Sequence, residues 1–176
     1  MERFISLQSG VNLYIREAFV EDAERLHDFY KRVTAQTEFL ITTPDEVFDV
    51  ATEKQMIRIY RSQHNRLYLV AFVSSDLVGT LKIAGNRRKR TCHVAELSIA
   101  VDKEWRGLGI GSALMEEGLE WARKHGIERI ELTVVDSNVR AMRLYEKFGF
   151  TVEGIKKKAV KLSDGYHDVY IMARLL

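Results

Sequence analysis

The run Val101-Asp102-Lys103-Glu104-Trp105-Arg106-Gly107-Leu108-Gly109-Ile110-Gly111-Ser112 sets one arginine and three alternating glycines ahead of a segment with helical apolar spacing. A glycine-rich turn that opens into a helix leaves backbone N–H groups unpaired and aimed at one spot. That spot lies at the positive end of the helix dipole and suits an anion. Lacking side chains, Gly107, Gly109 and Gly111 let phosphate oxygens approach the main chain, and Arg106 adds a charge at the mouth. The chemistry implied is pyrophosphate binding; the competing reading is a tight turn packed against its neighbours.

Other glycine loops fit less well. In a G-x-G-x-x-G dinucleotide loop the third glycine would fall at 112, where Ser112 stands, and no P-loop lysine follows. There is no G-x-S-x-G elbow, and Gly111-Ser112-Ala113 belongs to the turn. His27, His64, His93, His125 and His167 are dispersed without ligand spacing, so no metal is expected.

The turn needs elements to position it. Asn12 to Glu17 reads as a strand, and Val20 to Val33 as a helix with Ala23, Leu26, Phe29, Tyr30 and Val33 at three-to-four spacing. Thr43-Pro44-Asp45-Glu46 has the form of a helix start: Thr43 as cap, Pro44 at the first position and Glu46 closing a capping box, for a helix running to about Ser62. Leu67 to Val73 and Leu77 to Ala84 then form a hairpin about Ser74-Ser75-Asp76, and His93 to Val101 is a further strand. A helix from about Gly109 to His125 and a strand from Arg129 to Val135 complete a β-α-β unit. Asn138 to Phe148 is a helix ended by Gly149, followed by strands Thr151 to Leu162 and Tyr166 to Leu175. This order predicts an α/β (α+β) fold: a mixed sheet with helices on both faces around the central β-α-β unit.

Bulk properties narrow the class. At 176 residues, with no repeat or linker, the chain is expected to be a single domain, 1–176. No apolar run approaches the ~20 residues of a membrane span, so no membrane partner is expected. A lone Cys92 and an amino terminus without a signal-like apolar core fit a reducing cytoplasm. The net charge of +2 is too small to imply nucleic-acid binding. The runs Arg87 to Arg90 and Lys156 to Lys158 read as solvated strand-edge or hairpin residues, or as attraction for cofactor phosphates.

The sequence resembles the GNAT superfamily of N-acetyltransferases. Its pyrophosphate motif, R/Q-x-x-G-x-G/A, reads here as Arg106-Gly107-Leu108-Gly109-Ile110-Gly111. Its second motif is similar to Asn138 through Phe150, with Ala141, Tyr145 and the closing Phe148-Gly149-Phe150. The resemblance covers roughly residues 12 to 175. It implies a mostly antiparallel twisted sheet and acetyl-CoA as cosubstrate. In the segment Ile99-Ala100-Val101, main-chain groups of Ile99 and Val101 would hold the pantetheine arm. The phosphates would sit on amides between Arg106 and Ser112. The strands ending near Val101 and Val135 would splay around the thioester, close to Asn138, Ala141 and Tyr145.

Acetyl transfer to an amine needs a deprotonated amine, a polarised carbonyl and a proton for the departing thiolate. Tyr145, placed where the family places a tyrosine, would donate that proton; the alternative is a core tyrosine tied to the backbone. For the base there are Glu96, His93 or a water chain. Glu96 alternates with Ser98 and Ala100, a face that looks either to substrate or to solvent.

In this superfamily the acceptor wall comes from the N-terminal helices, their loop and the last hairpin. Here those supply Glu38 for an ammonium group, with Phe39 and Tyr166 for an apolar pocket. The expected acceptor is a small amine such as an amino acid. Alternatives are a protein N-terminus or ribosomal protein, a polyamine, and a non-catalytic acetyl-CoA-binding regulatory module. A homodimer through the C-terminal strands is expected, given the apolar end Tyr170 to Leu176.

Overall fold

The computed structural model describes residues 2–176. Eight strands form one sheet in the order β1-β2-β3-β4-β5-β6-β8-β7. The strands are β1 (Glu2–Ser6), β2 (Asn12–Glu17), β3 (Arg66–Val73), β4 (Asp76–Gly85), β5 (Val94–Val101), β6 (Arg129–Val135), β7 (Thr151–Leu162) and β8 (Gly165–Leu175). Every neighbouring pair is antiparallel except β5 with β6. Helices α1 (Ala23–Ala35) and α2 (Val50–Ser62) cover one face; α3 (Ile110–Lys124) and α4 (Val139–Lys147) cover the other.

Two cores follow from strand alternation. Ala95 and Leu97 of β5 join Leu81, Ile83, Ile110 and Leu114 beneath α3. Leu26, Phe29, Ile57, Tyr60, Tyr68 and Val70 fill the space beneath α1 and α2.

The parallel pair is short, and its shortness makes the site. Only Val94↔Arg129, Ala95↔Ile130 and Glu96↔Glu131 are in register. Past Glu96, β5 stays paired with β4 as far as Val101, whereas β6 stays paired with β8 as far as Val135. Each strand follows its other partner, so the sheet opens into a V.

Three details differ from the sequence reading. The first strand, β1, was not anticipated; it pairs with β2 at the sheet edge, where Phe4 stacks on Tyr14 at 4.4 Å. The second helix begins at Val50, not near Thr43. The capping bonds at Thr43 do form, with its amide donating to Glu46 Oε2 at 2.9 Å, but they close one isolated turn. Asp49 caps the real helix, accepting from the Thr52 amide at 2.8 Å. The intervening loop instead turns Leu40, Ile41, Val47 and Phe48 toward a cavity. Finally, the apolar C-terminal segment lies inside the sheet, with Val169, Met172 and Ala173 buried, while β7 forms the edge.

Candidate active site

The V between β5 and β6 holds a cleft of about 670 Å³. Its floor is the β5 segment Glu96 to Val101, facing Thr133 to Val135 of β6. Because Leu97 to Val101 have no β6 partner, main-chain groups on that edge, apart from the Val101 carbonyl, are open to an extended arm.

At one end stands the glycine turn. Gly107 and Gly109 have φ of +82° and +96°, a region that costs a side-chain-bearing residue energy. Gly109 is the N-cap of α3, whose first intrahelical bond runs from the Ala113 amide to the Gly109 carbonyl at 3.0 Å. The amides of Ile110, Gly111 and Ser112 precede that bond and are the unpaired donors of the first turn. Leu108 braces the turn from outside, its carbonyl accepting from Ser9 Oγ at 2.9 Å.

Arg106 sits beside these donors, its Nε donating to the Val101 carbonyl at 2.9 Å. Burial and the neighbouring Arg140 guanidinium hold Arg106 below its ordinary pKa, offset only in part by the Asp102 carboxylate, so two positive charges converge on the cleft. Lys147 adds a third, its Nζ donating to Ser112 Oγ at 3.1 Å. Arg106, Arg140 and Lys147 all line the cleft, and with the helix amides they suit a diphosphate. Sequence reading had missed Arg140 and Lys147. Lying two and nine positions beyond Asn138, they reach the turn only because α4 packs beside α3.

Asn138 caps α4 by accepting from the Ala141 amide at 3.3 Å. Ala141 and Tyr145, four apart, share the face that looks into the cleft. Tyr145 is 7% exposed, and burial pushes its phenol up to about 12. Among the described residues no group hydrogen-bonds the hydroxyl, in contrast to a core tyrosine tied to the backbone.

Glu96 is exposed, lines the cleft and forms the last paired position before the strands part. His93 stands before β5 and does not line the cleft; its carbonyl receives the Glu128 and Arg129 amides. Phe39 lines the cleft from the loop after α1. Glu38 does not: its Oε2 accepts from Ser163 Oγ at 2.7 Å, fastening that loop to the β7–β8 hairpin. Tyr166, 63% exposed, also lies outside the cleft wall. Among the described residues no group of three or more His, Cys, Asp or Glu side chains is placed to hold a metal ion.

A splayed parallel pair, a glycine turn with unpaired amides at one end and an unbonded phenol at the other suit an acyltransferase that takes its acyl group from a diphosphate-bearing carrier. The acetyltransferase (GNAT) family model matches residues 33–150. The chain belongs to that family and is an N-acetyltransferase using acetyl-CoA. It is similar to an L-amino acid N-acetyltransferase of Escherichia coli K12, 43% identical over 111 residues, 61% of this chain and 67% of that protein. It is also similar to the E. coli K12 ribosomal protein bS18-alanine N-acetyltransferase, 37% identical over 76 residues, 43% of this chain and about half (51%) of that protein. The crystal structure of a GNAT-family acetyltransferase from Streptococcus pneumoniae superimposes with a TM-score of 0.89 at 34% identity, covering 93% of this chain and 99% of the other.

Proposed function

We propose that the protein acetylates the primary amine of a small molecule such as an amino acid, with Glu96 as base and Tyr145 as acid. The observation that carries this reading is the placement of both side chains on the walls of one cleft, where β5 and β6 part. The free edge Ile99-Ala100-Val101 would align the pantetheine arm, and the turn from Arg106 to Ser112 would hold the diphosphate. Asn138 and Ala141 would flank the thioester.

Glu96 removes a proton from the incoming amine, directly or through water. Tyr145 donates its proton to the sulfur as the C–S bond breaks. A phenol at about 12 is protonated at any working pH, so it serves as an acid and not as a base. Its pKa exceeds the ~8.5 of an ordinary thiol, but the same burial disfavours the thiolate and raises the proton affinity of the sulfur.

Phe39 forms one wall for the acceptor, while Glu38 holds its loop against the hairpin that carries Tyr166. The similarity to an amino acid acetyltransferase supports a free amino acid. The similarity to a ribosomal-protein enzyme supports a protein N-terminus as the second reading. A cytoplasmic location and a homodimer complete the proposal. Among the described residues no helix is long and apolar enough to cross a membrane. Val152 and Ile155, exposed on the edge strand β7, are the apolar surface on which a second copy would pair.

The test is acetyl-CoA turnover across free amino acids, peptides and polyamines. Tight acetyl-CoA binding with no turnover of any amine would instead mark a non-catalytic sensor.

A further inference from the structure

A second cavity, about 230 Å³, lies beneath α1 and α2. It shares Leu40, Ile41, Ser98, Ile99 and Ala100 with the large cleft, so an occupant would abut the free edge of β5. One wall is apolar, from Leu40, Ile41, Val47 and Phe48; the other presents Glu53 and Lys82.

The polar wall is organised around one buried carboxylate. Glu53, 2% exposed, accepts the Tyr68 hydroxyl proton at 2.8 Å. The Tyr68 oxygen lies 3.3 Å from the Tyr30 hydroxyl, which is 3.0 Å from Thr80 Oγ1. These groups satisfy one another. Lys82 is different: its ammonium rests over the rings of Tyr30 and Tyr68, at 4.7 and 4.5 Å from their centroids. Among the described residues no carboxylate comes within 4.0 Å of it. Burial disfavours its charge, but Tyr30 and Glu53 more than offset this and hold the ammonium in its protonated form. Glu53 therefore supplies a balancing charge without occupying the lysine's donors. A half-buried cation on the cavity wall, hydrogen-bonded to Tyr30 but to no carboxylate, favours an anionic ligand group over a neutral one.

We propose that Lys82 seats the carboxylate of the acceptor, so that this cavity selects free amino acids with apolar side chains over peptide N-termini and simple amines. The inference rests on the amine-acetylating reading and specifies its substrate. The carboxylate sits on Lys82, the side chain lies against Leu40, Ile41, Val47 and Phe48, and the amine faces β5. A peptide N-terminus has an amide in place of the carboxylate and leaves the ammonium unmatched.

The test uses L-valine, L-leucine and L-phenylalanine alongside their amides and their decarboxylated amines. The wild type should favour at least one amino acid over its amide and amine by roughly 10–10²-fold in kcat/KM, the scale of a hydrogen bond to a charged group. Lys82→Met should erase that preference through KM, and Lys82→Arg should restore part of it. Acetyl-CoA affinity by calorimetry should be unchanged in both, which shows that the variants fold. A second readout, calorimetric binding of the same amino acids to the enzyme with CoA, should weaken in Lys82→Met whether or not turnover occurs. Amides or amines used as well as amino acids by the wild type would overturn the inference while leaving acetyl transfer intact. So would unaltered amino acid binding in a folded Lys82→Met protein. If no amine is acetylated yet amino acid binding depends on Lys82, the catalytic reading fails and the carboxylate seat stands.

Discussion

Arg32 on α1 donates from Nε to Asp102 Oδ2 at 2.5 Å, which ties that helix to the first residue after β5, at the head of the glycine turn. Gln36 joins the bond, donating to Asp102 Oδ1 at 3.0 Å while accepting from the Lys103 amide at 2.9 Å. The first helix and the strand that floors the cleft thus meet at one buried carboxylate.

Asp102→Ala should lower stability by about 2 kcal/mol, since it removes charge-assisted bonds from a half-exposed Arg32 and not from a buried one. Burial raises the Asp102 carboxyl, but its bonds to Arg32 and Gln36 more than offset this and hold it below its ordinary value. A depressed folded pKa stabilises above the unfolded value of about 3.9 and is lost as pH falls through the folded one. Urea unfolding of the wild type and Asp102→Asn should therefore differ at pH 7 and converge below about pH 4.

Gly109→Val should abolish acetyl-CoA binding in a folded protein. A β-branched residue is strained at a φ of +96°, and relieving the strain displaces the amides that follow. Calorimetry on the folded variant checks this; unchanged affinity would remove the turn from the cofactor site.

Tyr145→Phe keeps the ring that packs near Phe150 and removes one hydroxyl. If that hydroxyl protonates the sulfur only as the bond breaks, kcat should fall by roughly 10²–10⁴-fold with acetyl-CoA affinity unchanged. A kcat within threefold of wild type, with chemistry rate-limiting, would take Tyr145 out of the mechanism.

His167 on β8 is held between Asp136 Oδ1 at 2.8 Å and Asp164 Oδ1 at 2.7 Å, and both carboxylates, Asp136 foremost, raise its pKa above 6.5. A raised folded pKa stabilises fully below the unfolded value, and the effect is lost as pH rises through the folded one. An NMR titration should place the imidazole midpoint above 6.5 and show it falling in Asp136→Asn. The stability gap between wild type and that variant should close as pH rises past the wild-type midpoint.

Ile155→Lys should yield a monomer if copies pair along β7, because it places a charge on the exposed apolar edge. Light scattering at high micromolar concentration decides; a wild-type monomer there would rule the dimer out.

Much of this molecule is legible locally. Gly107, Gly109 and Arg106 precede an amphipathic helix, and a positive-φ turn presenting unpaired amides is a property of those few residues alone. The same holds for Asn138 as a cap and for Ala141 and Tyr145 on one helical face, since a period of 3.6 needs no tertiary information. Thr43 shows the limit: its capping bonds form, yet the helix begins at Val50 under the Asp49 cap, because a capping box can close a single turn without propagating a helix. The direction of Glu96 depended on which strand β5 follows once β6 leaves it. Arg140, Lys147, Glu53 and Lys82 carry no sequence signal, since their meaning lies in what stands across from them. Local backbone chemistry wrote the glycine turn into the sequence. The second cavity came only from packing α1, α2 and their loop onto the sheet, because what Lys82 faces is decided by folding and not by its neighbours in the chain.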